Sequence, residues 1–147
     1  MLSRRVWLQG ASAVAWAAGL PAGAAAAPRL GFDELYAGVS PQGLRFSPRL
    51  LSLRGQTVQM RGYAAPPLRA DARFLVLTRM PMALCPFCAS DADWPADIMV
   101  VYCQEPSLLP GGQALLATGR LEAGHHTDPD TGFVSQLRLR DARLDAL

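Results

Sequence analysis

The chain has 147 residues, a formal net charge of +2, twelve acidic residues, and fourteen basic residues that are all Arg. That length argues against two domains, and near-neutral charge argues against binding governed by phosphate neutralisation. Three Cys rule out a disulfide-dense scaffold.

In chain order, the first signal is Ser3-Arg4-Arg5-Val6-Trp7-Leu8-Gln9. It resembles the twin-arginine export motif, with Trp7 in place of the usual Phe and Gln9 in place of Lys. A mildly apolar stretch from Ala11 to Leu20 and a Pro/Ala segment to Ala27 follow. This is the charged, apolar, small-residue order of an export signal. The expectation is a signal peptide over 1–26, headed by Arg4 and Arg5, delivered by the twin-arginine translocase to the periplasm. Ala24 and Ala26 would occupy the small-residue cleavage positions, because Pro28 disfavours a cut after Ala27. The Ala-rich stretch is a poor match to the about 20 strongly apolar residues of a spanning helix, so no stable membrane anchor is expected. The first Cys is Cys85, which argues against a lipid anchor at the cleavage site. Losing Arg4 and Arg5 balances acids and bases in the remaining domain, 27–147.

Residues 27–52 read as an irregular lead-in, with a short helix at Gly31 to Tyr36, where Asp33 and Glu34 suit a first turn. Ser40-Pro41-Gln42-Gly43 through Ser47-Pro48 reads as loop, and Leu50, Leu51 and Leu53 lead into strands. Thr57 to Tyr63 alternates, with Val58 and Met60 on one side and Gln59 and Arg61 on the other. Phe74 to Thr78 and Ile98 to Tyr102 are continuously apolar, the pattern of strands covered on both faces. Ala114 to Leu121 puts Leu115, Ala117, Gly119 and Leu121 on one face. Gln136 to Arg140 points Leu137 and Leu139 inward and Arg138 and Arg140 outward. Asp128-Pro129-Asp130-Thr131-Gly132 has turn chemistry to join these last two as a hairpin. Gly62 and Gly119 within strands suit tight coiling. The predicted fold is all-β with minor helix: a small five-stranded OB-like barrel, with a β-sandwich as the alternative.

The segment from Arg79 to Pro95 carries the chemistry. It joins Cys85-Pro86-Phe87-Cys88 to Met80 and Met82 upstream and to Asp91 and Asp93 downstream. Cys103 follows the next strand, which is expected beside Phe74 to Thr78, so that Cys103 could approach the pair. Three readings compete. As a redox dithiol, Cys85 would attack and Cys88 resolve, but Pro95 cuts short the helix that would lower the thiol pKa. As a metal site, Cys85, Cys88 and Cys103 supply soft ligands, His125 or His126 can complete the set, and Met80 and Met82 tilt the choice from Zn toward Cu(I). As a structural element, Cys85 and Cys88 form a short disulfide and Cys103 is a small buried hydrophobe. His125 and His126 read alternatively as exposed residues on a loop, Met80 and Met82 as core filler or loop cover, and Asp91, Asp93 and Asp97 as caps of a short turn.

The order Arg61-Gly62-Tyr63-Ala64-Ala65-Pro66-Pro67-Leu68, then Phe74 to Arg79, then Cys85-Pro86-Phe87-Cys88, resembles a group of uncharacterised exported bacterial proteins over residues 50–142. The resemblance implies a small OB-like barrel and accessory work in the periplasm, in some cases beside a transporter component. The expected function is an exported binding or accessory protein, more a binder than an enzyme, that handles Zn or Cu through its Cys-x-x-Cys. The alternatives are a thiol-disulfide oxidoreductase using Cys85 and Cys88 and a structural interaction module. Expected partners are the translocase and a periplasmic protein, with no nucleic acid.

Overall fold

The computed structural model describes residues 25–67, 69, 72–82, 94–105 and 109–147. The signal segment with Arg4 and Arg5, and the Cys85 and Cys88 motif with Asp91 and Asp93, lie outside them.

Five strands form a closed barrel: β3 (Thr57–Ala64), β4 (Phe74–Thr78), β5 (Ile98–Cys103), β6 (Ala114–Thr127) and β7 (Val134–Ala146). Around the barrel they run β3-β4-β5-β7-β6, and β6 closes on β3. All neighbours are antiparallel except β5 and β7, which are parallel. This is the strand order of an OB-fold, with its third and fifth strands side by side. The fold is therefore all-β, as the apolar runs predict. All five expected strands are present, but β6 and β7 extend well beyond Leu121 and Arg140.

The inner faces form one core. Val58 and Met60 meet Leu77, Met99, Val101, Leu115, Leu137 and Leu139, all nearly solvent-free. Both expected glycine sites are close backbone approaches. A Cβ on Gly62 would lie 2.7 Å from the Thr78 carbonyl oxygen, and one on Gly119 would lie 2.9 Å from that of Arg140. No ordinary side chain fits either seam.

The lead-in departs from expectation. The helix expected from Gly31 to Tyr36 is a single 3-10 turn, Phe32–Glu34, and Tyr36 already begins a strand. The presumed loop from Ser40 to Ser47 is largely a hairpin of β1 (Tyr36–Ser40) and β2 (Gly43–Phe46). Pro41 and Gln42 are its turn, and the Ser40 hydroxyl donates to the Gly43 carbonyl at 3.0 Å. Here proline sets a turn rather than ending order. A short helix, α1 (Pro48–Leu53), follows. Ser47 caps it by accepting from the Leu50 N–H at 3.0 Å, with Pro48 in the first turn, where its missing N–H does no harm. No helix among the described residues is long and apolar enough to cross a membrane.

Candidate functional site

The densest polar chemistry among the described residues stands on the outer face of β5, β7 and β6. Leu137 and Leu139 point into the barrel, so Arg138 and Arg140 point away from it, as the alternation predicts. Arg138 is nonetheless buried. Its Nε donates to Glu122 Oε2 at 2.9 Å, and its Nη1 donates to the Gly124 carbonyl at 2.8 Å. Arg140 Nε donates to the same Glu122 oxygen at 3.1 Å. Burial pushes the Glu122 carboxyl up, but the hydrogen bonds and charges of the two arginines outweigh it and hold the group below the usual range.

Arg140 also lies over the Tyr102 ring, 4.1 Å from its centroid, and approaches His126 Nε2 at 2.9 Å. Burial lowers the His126 pKa, and the charges of Arg140 and Arg138 lower it further, which favours a neutral ring accepting from Arg140. The Tyr102 hydroxyl donates to Asp128 Oδ2 at 3.0 Å, and burial with that carboxylate pushes its pKa up to about 12. Asp128 heads the expected turn. Its Oδ1 accepts from the Thr131 hydroxyl at 2.7 Å and from the Thr131 N–H at 2.9 Å. These bonds overcome the effect of burial and hold the Asp128 carboxyl low.

A groove of about 520 Å³ adjoins this network, lined by Thr57, Gln104, Thr118, Gly119, Arg120, Arg140, Asp141 and Arg143. A β-bulge makes it. Val101 and Cys103 on β5 face Leu139 and Ala142 on β7, and on the other side Thr118 and Arg120 on β6 face Arg143 and Arg140. Two steps on each neighbour match three on β7, so Asp141 is the extra residue, with φ +50°. In an unbroken strand, residues three apart face opposite ways. The bulge instead turns Arg140 and Arg143 to the same side. Arg120 joins them, paired with Glu122 at 3.3 Å and Asp141 at 3.8 Å. The buried Thr118 hydroxyl has no hydrogen-bond partner among the described residues. Strict alternation does not reveal the groove, but the sequence carries a signal for it: the inward positions Leu137 and Leu139 change phase to Ala142 and Leu144.

The residues proposed for metal are placed as follows. His125 and His126 are not on a loop. β6 continues through a bulge at Gly124, φ +119°, and includes both. His125 is exposed and lies 3.4 Å from the Thr127 hydroxyl, while His126 is turned to Arg140 and Tyr102. Cys103 packs instead against the interior core, and burial pushes its thiol up to about 11. Cys103 and His126 thus lie on opposite faces of the barrel wall. β4 and β5 are neighbours, as expected, but they run antiparallel. The Cys103 N–H bonds the Arg73 carbonyl at the end of β5 opposite Ile98, about 17 Å of strand away, and the expected approach of Cys103 to Cys85 and Cys88 lies outside the described residues. No group of three or more His, Cys, Asp or Glu among the described residues is placed to hold a metal ion. Met80 and Met82 are not core filler. They are 69% and 38% exposed on the segment leaving β4.

No family model matches the chain, and neither does any curated protein. Among solved structures, the chain is similar to a DUF3299 family protein from Pseudomonas aeruginosa PAO1, with a TM-score of 0.55 and 13% identity over 83% of this chain and 97% of that one. At that identity the likeness concerns the fold alone.

Proposed function

We propose that this chain is an exported accessory protein of the periplasm that works by binding a protein partner. The observation that carries this reading is the groove between β6 and β7. Arg120, Arg140 and Arg143 line it together, and Arg140 is held by Glu122 at 3.1 Å. Three guanidiniums turned to one side suit an acidic segment of a partner, and the one already held loses less conformational freedom when it docks. The titratable groups around it favour binding over catalysis. Glu122 and Asp128 are each committed to several hydrogen bonds, and Cys103 is too basic a thiol to act as a nucleophile near neutral pH. Export rests on Arg4 and Arg5, and changing both to Lys should leave precursor in the cytoplasm.

The test is a photo-crosslinking residue placed at Thr57 in cells that export the protein. A discrete adduct with one periplasmic partner, lost when Arg120 and Arg143 become Glu, is the expected result. An adduct that survives both changes would remove the groove from the function.

A second reading, soft-metal handling by Cys85 and Cys88, is favoured by Met80 and Met82, which remain available as thioether ligands. Reduced protein should carry about one Zn or Cu(I) per chain in native mass spectrometry, and Cys85→Ser with Cys88→Ser should abolish it. Undiminished loading of the double variant would exclude the pair as the site.

A further inference from the structure

We infer that a cleft between residues 29–31 and the outer face of β3 and β6, separate from the arginine groove, binds a small organic carboxylate with an apolar tail. The cleft arises because β3 pairs with β4 only at Tyr63 and Ala64. The lower edge of β3 is taken by the lead-in segment instead. The Leu30 N–H donates to the Gln59 carbonyl at 2.9 Å, and the Gln59 N–H donates to the Pro28 carbonyl at 2.8 Å. These bonds fix Arg29 beside Gln59 as a parallel bridge. The resulting cavity, about 240 Å³, is lined by Arg29, Leu30, Gly31, Gln59, Arg61, Leu116 and Leu147.

Its polar groups have unused capacity. On the barrel strands, Arg120, Arg138, Arg140 and Arg143 each pair with a carboxylate. Arg61 has no ion pair or hydrogen-bond partner among the described residues, and neither Arg29 nor the Gln59 side-chain amide has one. Among the described residues no Asp or Glu lines the cavity, and the Asp33 carboxylate stands beside its rim at Gly31. Glu34, close by in sequence, is engaged by the Gly31 N–H at 2.7 Å and by Arg49 at 3.8 Å. Two unpaired guanidiniums and an amide match the two oxygens of a carboxylate. Leu116 lines the same cavity and favours a ligand that carries an apolar group behind its charge. The volume is below the roughly 300–1,000 Å³ of drug-sized clefts, so the ligand is small.

The test is an amide NMR titration of the full chain with isocaproate, alongside its uncharged amide and inorganic phosphate. Isocaproate should shift Leu30, Gly31, Gln59, Arg61 and Leu116, and the other two probes should bind much more weakly. The exposed Arg61→Gln should weaken isocaproate about tenfold, the worth of one charged hydrogen bond, while Arg45→Gln on the β1–β2 hairpin should change nothing. Equal binding of the uncharged amide, equal binding of phosphate, unchanged affinity in Arg61→Gln, or no localised shifts would each overturn the assignment.

Discussion

The outer side of this barrel is built in two ways. Over β4 and β5 it is a second apolar core: Phe74, Val76, Ile98 and Val100 are at most 8% exposed, with Trp94, Tyr102 and Phe133 packed against them. Phe133 comes from the β6–β7 turn and stacks on Phe74 with ring centroids 5.3 Å apart. Over β6 and β7 the same wall carries Glu122, Arg138, Arg140 and the open groove. The second and third strands of an OB barrel are the usual ligand face. Among the described residues that face is closed by the protein's own aromatics, and the densest charged network lies on the fourth and fifth strands.

Hollowing out the sealed side tests this difference most directly. If it is a true core, Phe74→Ala on the outer face should cost as much as Leu77→Ala on the inner face, about 3 kcal/mol in each case. Urea denaturation of both variants decides the matter. A loss below about 1 kcal/mol for Phe74→Ala would make the patch a merely covered surface.

On the charged side the expected effects are smaller. Arg138→Ala leaves the Gly124 carbonyl without its donor and Glu122 with Arg140 alone among the strand-β7 arginines, so a loss of about 2 kcal/mol is expected. Glu122→Gln should cost less at neutral pH, but it should alter the acid limb. The folded carboxyl is held below its ordinary value, so the unfolded chain binds the proton more readily. Stability from Glu122 is therefore full above the ordinary carboxylate range and disappears as pH falls through the depressed value. The variant should lose less stability between neutral pH and acid than the parent does. Parallel pH profiles would show that the arginines do not hold Glu122 charged.

How much of this was legible follows from periodicity. Strands announce themselves through alternation or apolar runs, and the inward and outward sets on β3, β6 and β7 follow directly. The continuous runs of β4 and β5 correctly implied two covered faces, which is the first half of the comparison above. Short-range chemistry is less legible. Pro41 reads as a breaker although it sits where turns favour it, and Ser47-Pro48 before a leucine cluster is a helix start that the loop reading does not contain. The groove lay beyond strict alternation, because a bulge shifts phase by one residue and each side of the shift looks regular. The expected approach of Cys103 to Cys85 and Cys88 lies outside the described residues.

That one-residue shift gives the smallest effect and the most direct probe of how the charged side is aimed. Asp141 occupies the left-handed region, φ +50°, where Gly is at ease, Asp and Asn are tolerated, and a β-branched residue is strained. Asp141→Gly relieves that strain but loosens the unfolded chain and gives up an exposed ion pair to Arg120 at 3.8 Å, which is worth little. The net should be small, about 0.5 kcal/mol in favour of Gly, whereas Asp141→Val should cost about 2 kcal/mol. Because Gly keeps the bulge, Arg140 and Arg143 should remain on one side, and a crosslink formed from Thr57 should persist. If Val were tolerated as well as Gly, the extra residue would not be held in that backbone conformation, and the common direction of the three arginines would need another cause.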